Sequence, residues 1–138
     1  MTANELKELV IERAKGLCEY CKSPANISSQ PFVLEHIFPK SKGGKTEEMN
    51  LAFSCQGCNN HKYIKIKSID NITNKEVDLF NHRVEKWSTN FSWSADVLTI
   101  LGITATGRVT VEELKLNRVE LQNLRKLLAS VGKHPPSN

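Results

Sequence analysis

Cys18-Glu-Tyr-Cys21 and Cys55-Gln-Gly-Cys58 place four thiols in two C-x-x-C pairs, and Glu35-His36 lies between them. The C-x-x-C spacing lets two sulfurs from one tight turn bind the same ion, and two such pairs complete the shell of a tetrahedral zinc. A closed shell leaves no position for a substrate, so a metal held there is structural. The competing readings are disulfides, idle free thiols or a redox dithiol. A second group offers different chemistry: Glu35, His36, Asn50, Asn59 and His61. A carboxylate suits a hard divalent cation, and an amide oxygen can be its second ligand. A neutral imidazole suits proton abstraction near pH 7. Taken singly, each residue has an ordinary explanation: a packed histidine, an edge-strand charge, a turn asparagine, a helix cap. Taken together, with cysteine pairs fixing both flanks, they point to a catalytic centre.

These groups act together only if the chain gathers them. Thr2-Ala-Asn-Glu5 is a capping box, Leu6, Leu9, Val10 and Leu17 follow at helical spacing, and Gly16 supplies a left-handed stop. This first helix delivers the chain to Cys18. Residues 22–31 read as a loop. Phe32–Phe38 reads as a short strand closed by Pro39, residues 40–46 as a basic glycine-rich loop, and Leu51–Phe53 as a return strand. A short helix from Cys58 to about Ile66 carries Asn59, His61 and Lys62. The 33 residues between the cysteine pairs are therefore filled by strand, loop and strand. On a regular strand Glu35 and His36 point to opposite faces. Sharing a site requires the chain to turn out of the strand at His36. Residues 69–80 read as irregular and Phe91–Thr104 as one hairpin. Thr110-Val-Glu-Glu113 and Asn117-Arg-Val-Glu120 look like further capping boxes, giving two C-terminal helices with a break near Asn117. Leu121, Leu124, Leu128 and Val131 form an apolar face on the last of them, and Pro135-Pro136 ends it.

The run from Leu34-Glu-His-Ile-Phe-Pro-Lys-Ser-Lys-Gly-Gly44 through Asn50-Leu51 to Cys55-Gln-Gly-Cys-Asn-Asn-His-Lys62 resembles the HNH endonucleases, and Cys18-Glu-Tyr-Cys21 fits their zinc-bearing branch. Softer likenesses at Leu79-Phe-Asn-His-Arg83, Trp87, Phe91-Ser-Trp93, Gly107-Arg-Val-Thr-Val111 and Leu116-Asn-Arg118 resemble the tail of a bacterial stand-alone subgroup. The resemblance implies an α+β fold: a ββα-metal core from Phe32 to about Ile66, a four-cysteine zinc knuckle, an N-terminal helix, and a C-terminal β-hairpin with helices. The expected organisation is one domain, with knuckle and core in 1–68 and the extension in 69–138. The resemblance also implies roles. His36 is the general base, Glu35 and Asn59 bind one catalytic Mg²⁺ or Mn²⁺, and Asn50 braces the loop that aims His36. His61 is a supporting group, a phosphate contact or an alternative ligand. The family more often has Asp at the position of Glu35, and the extra methylene bears on metal choice or rate.

A chain of 138 residues that is 39% hydrophobic supports one modest core. A net charge of +4, from 19 basic and 15 acidic residues, leans towards an anionic partner without establishing one. The N-terminus lacks an export signal, and the apolar stretch from Val97 to Ile103 is broken by Thr99 and Gly102 and is too short to span a bilayer. The expected compartment is the cytoplasm, where paired cysteines favour metal over disulfide. Lys40, Lys42 and Lys45 follow His36, and Lys62, Lys65 and Lys67 lie on and after the catalytic helix. Both groups can flank one phosphate backbone, giving salt-dependent affinity without base specificity. Arg83, Arg108, Arg118 and Arg125 would extend that track. Trp87 and Trp93 either stack on bases or fill the core, and in so small a domain core packing is favoured. His82 and His134 are given no role. The sequence thus reads as a metal-dependent endonuclease acting on DNA, double-stranded by expectation. The other reading is a zinc-stabilised nucleic-acid-binding module with little or no activity.

Overall fold

The computed structural model describes residues 1–137. Thr2 accepts from the amide of Glu5 (3.1 Å) and starts helix α1, Ala3–Arg13. The helix stops where Lys15 and Gly16 turn left-handed. Strands β1 (Val33–His36) and β2 (Leu51–Ser54) form an antiparallel ribbon, with Glu35 opposite Ala52 and His36 opposite Leu51. Helix α2 (Gln56–Lys62) follows at once, its first turn capped by the Cys55 sulfur. These three elements are the ββα unit. Val10 of α1 and Ala14, its C-cap, pack on Leu51 and Phe53, so α1 covers one face of the ribbon.

The extension begins with an antiparallel pair, β3 (Lys67–Ile69) and β4 (Glu76–Asp78). Within residues 69–80, read as irregular, Ile69 and Glu76–Asp78 are paired in strands and the rest is turn or irregular. The strands are too short for alternation to register, and their ordering comes from tertiary anchors. Arg108 grips Asp70 through two bonds (2.8 and 2.9 Å), and Asp70 in turn accepts from the Thr73 amide and hydroxyl. Helix α3 (Trp87–Asn90) leads into the expected hairpin, β5 (Phe91–Trp93) paired with β6 (Ile100–Gly102). Helix α4 spans Ala105–Glu113 and α5 spans Val119–Ser130, so the chain does break near Asn117.

Neither expected C-terminal capping box caps a helix. Thr104 caps α4 through Gly107 (2.9 Å). Thr110 lies inside that helix, where its hydroxyl bonds Thr106 and receives the Phe80 amide. Asn117 uses its amide on both backbone groups of Ile100 instead of on α5. In both cases a long-range demand for a polar partner outweighs the local one. One buried cluster joins the knuckle cysteines and Tyr20 to Phe80, Phe91, Ile100, Val109, Leu114, Leu116 and Leu121. Among the described residues no helix is long and apolar enough to cross a membrane.

Candidate active site and metal centre

The four cysteines converge, with all their sulfurs within 4.8 Å of one another and all buried. Tetrahedral zinc with bonds of about 2.3 Å separates its sulfurs by about 3.8 Å. The Sγ atoms of Cys21 and Cys55 are 3.7 Å apart. The cysteines are free rather than bridged by disulfides, so the site can hold zinc. The Cys21 and Cys58 amides point back at the Cys18 and Cys55 sulfurs (3.5 and 3.4 Å), as expected of thiolates held in tight turns.

Arg118, just before α5, completes this centre and was not foreseen as part of it. Its guanidinium reaches Cys55 Sγ at 3.5 Å and Cys58 Sγ at 3.7 Å, while Nη1 also donates to the Leu114 and Lys115 carbonyls. Burial alone would lower the Arg118 pKa, yet the Cys58 and Cys55 thiols hold it above its ordinary value. A Cβ at Gly57 would lie 2.5 Å from the Arg118 guanidinium, so glycine leaves the room it needs. Partners of metal ligands tune retention of the ion. Arg118→Ala is expected to speed zinc transfer to a chromogenic chelator about 10- to 100-fold, with Arg118→Lys in between. Equal transfer rates would exclude this role.

The second group meets at the open end of the ribbon. A cleft of about 300 Å³ is lined by Glu35, His36, Lys40 and Asn59 among others. His36 is the last residue of β1, and its Nε2 lies 2.8 Å from the Thr46 hydroxyl. Burial lowers the His36 pKa from its ordinary 6.5, and the charges of Lys40 and Lys62 lower it further, so the ring is neutral at pH 7. Asn50 ties the intervening loop shut. Its Oδ1 accepts from the Phe38 amide (2.8 Å), and its Nδ2 donates to Phe38 O (3.0 Å) and Lys45 O (2.8 Å). Two glycines make this closure achievable. Gly43 is left-handed at φ 93°, and a Cβ on Gly44 would fall 1.8 Å from the Phe38 carbonyl.

Glu35 sits in the pleat opposite to His36 and is buried, 3% exposed. Its Oε2 accepts from the Tyr20 hydroxyl at 2.7 Å. Its Oε1 is ion-paired with Lys62 Nζ at 2.5 Å. Burial pushes the Glu35 pKa up, against the opposing pull of Lys62 and Tyr20. Lys62 is 1% exposed, and its ammonium also donates to Ile37 O at 2.9 Å. Lys62 is therefore not a surface phosphate contact, because a buried carboxylate and buried carbonyls have claimed its charge. Lys40, Lys42, Lys45 and Lys67 are exposed, whereas Lys65 bonds Glu113 at 3.0 Å.

Asn59 and Lys62 are three residues apart on α2 and share a side. His61 is about 200° around the helix from Asn59 and does not line the cleft. Its pKa is lowered by burial first and then by Arg118 and Lys115, so its neighbours belong to the extension. The structure thus brings Glu35, His36 and Asn59 together with Asn50 as brace, and leaves His61 apart. Three partners escaped the sequence reading: Thr46, Tyr20 and Arg118. The spacing of Tyr20 between Cys18 and Cys21 was a usable signal, since a buried turn fixes it. Thr46 and Arg118 arrive through loop closure and distant packing, for which no local pattern exists.

Searches against curated proteins and against solved structures give no match. Residues 18–65, which hold both cysteine pairs, Glu35-His36, Asn50 and Asn59, match the family model described as HNH endonuclease, so this part of the chain is similar to the HNH endonuclease domain.

Proposed function

We propose that this protein is a metal-dependent endonuclease that nicks or cleaves double-stranded DNA, with His36 as general base and a zinc that serves only structure. The observation that carries the reading is one cleft lined by a neutral imidazole, His36, oriented by Thr46, together with the carboxylate-bearing Glu35 and the amide-bearing Asn59. Glu35 and Asn59 are hard oxygen donors that suit Mg²⁺ or Mn²⁺. Glu35 Oε1 is a buried oxygen whose positive partner is Lys62 in the arrangement described. Ligation through Oε1 requires the carboxylate to exchange Lys62 for the cation while Oε2 keeps Tyr20. A bound cation would supply charge neutralisation at the scissile phosphate and the departing 3′ oxygen.

The chain's own residues do the rest. With Nε2–H donating to Thr46, Nδ1 of His36 carries the lone pair that takes a proton from the attacking water. Asn50 holds the loop that carries Thr46 and Lys45. Lys40 on the cleft wall, with Lys42, Lys45 and Lys67 beyond it, draws the phosphate backbone in. Products with a 5′-phosphate and a 3′-hydroxyl follow.

The deciding experiment incubates supercoiled plasmid with the zinc-loaded protein and Mg²⁺ or Mn²⁺. Conversion to open circles, stopped by EDTA, is expected; absence of nicking with every divalent cation tried overturns the reading. Thr46→Val tests the orientation of the base. One lost orienting hydrogen bond of about 1.4 kcal/mol lowers kcat about 10-fold. KM should be nearly unchanged, because the phosphate contacts remain.

A further inference from the structure

A cavity of about 550 Å³ opens between the end of α1, the first cysteine turn and α3, and it shares no lining residue with the His36 cleft. Arg13, Lys15, Lys22 and Lys86 line it, against a single carboxylate, Glu19. That carboxylate is already committed, with Oε2 accepting the Phe53 amide and Oε1 paired to Arg83. None of the four lining cations has an ion-pair partner among the described residues. Arg13 donates through Nη2 to Leu51 O at 2.8 Å, while its buried Nε has no hydrogen-bond partner.

The other wall is aromatic. Trp87 and Trp93 are half-buried, with ring centroids 5.5 Å apart and planes 38° from parallel. Trp87 is fixed by its indole N–H, which donates to Tyr20 O at 3.0 Å. Arg125 lies over Trp93 at 5.2 Å, and His134 packs against the same indole in a T-shaped contact, with centroids 4.5 Å apart. Lys22 Nζ stands 5.4 Å over the Trp87 ring, so a cation and an aromatic face are presented together. A bare anion would leave the indoles unused, and a neutral aromatic ligand would leave the cations unanswered. The volume is that of a small-molecule site.

We infer that this cavity binds a nucleotide, its phosphate on Arg13 and the lysines and its base against the Trp87–Trp93 pair. The nucleotide is either free or an unpaired residue of a bound strand. Neither source requires that His36 be a base, so the two proposals fail separately.

The test uses the full-length, zinc-loaded His36→Ala protein, which cannot consume the probe, and follows tryptophan fluorescence on titration with dAMP, a short oligodeoxyadenylate and inorganic phosphate. Saturable quenching by dAMP and by the oligomer is expected. Lys15→Glu with Lys86→Glu, both at exposed positions, should weaken both about 10-fold or more. Lys7→Glu, outside the cavity, should change neither. An oligomer that binds more tightly than dAMP identifies a strand nucleotide as the occupant, and equal affinities identify a free one. The inference is overturned by no saturable response to either probe, by inorganic phosphate binding as tightly as dAMP, or by unchanged affinity in the doubly substituted protein.

Discussion

Stripping the zinc, or replacing Cys58 with serine, is expected to unfold the protein. The four cysteines are members of the buried cluster that also holds Tyr20, Phe80, Phe91, Leu114 and Leu121. Sulfurs gathered within 4.8 Å cannot remain four bare thiolates without a dication, and protonating them leaves weakly bonded groups where a tetrahedral joint had been. Structural zinc contributes on the order of 10 kcal/mol in small domains, comparable to the whole stability of a domain this size, roughly 5–15 kcal/mol. Arg118 compounds the effect. Its guanidinium is half-buried against Cys55 and Cys58, and without thiolates there only the exposed Glu120, 3.5 Å from its Nε, opposes its charge. Circular dichroism melts with and without chelator, alongside zinc stoichiometry, provide the measurement. Loss of the cooperative transition with loss of one zinc is expected. An apo-protein that melts at the same temperature would show that the knuckle is ornamental to the fold.

How far the sequence foretold this molecule depends on how local each signal was. The cysteine pairs, the Thr2 cap, the β1–β2 ribbon and the β5–β6 hairpin were legible, because each depends on spacing within a few residues or on β-rich apolar runs. The β3–β4 pair was not, because its order comes from Arg108 reaching back to Asp70. Thr110 and Asn117 carried real capping signatures, but tertiary partners at Phe80 and Ile100 captured their side chains. In the site, strand periodicity correctly put Glu35 and His36 on opposite faces. They line one cleft without the chain twisting out of the strand, with Lys62 of α2 paired to Glu35 on one side and Thr46 holding His36 on the other. Lys62 shows the limit of charge reading. A lysine in a basic stretch reads as surface until a buried carboxylate is known to face it.

Replacing His36 with alanine is expected to remove nicking and leave the fold untouched. The imidazole makes one side-chain hydrogen bond, to Thr46, and is only partly buried, so its deletion costs stability on the scale of an ordinary surface change, within about 0.5–1 kcal/mol. No zinc ligand, no member of the Tyr20–Glu35–Lys62 set and no contact of Asn50 depends on it. The loss in rate is that of a positioned general base, about 10²- to 10⁴-fold. The same assignment fixes the sign of the pH dependence. Burial, Lys40 and Lys62 depress the His36 pKa below 6.5, so the ring carries its lone pair throughout neutrality. The single-turnover rate should be level above pH 7 and fall as pH drops through the lowered pKa, with the acid limb centred below 6.5. A base whose cation were favoured would move that limb the other way. Plasmid nicking by His36→Ala at the wild-type rate, with zinc content and melting temperature matched, would remove His36 from the chemistry. An acid limb centred above 6.5 in the wild-type protein would place the titrating base elsewhere in the cleft.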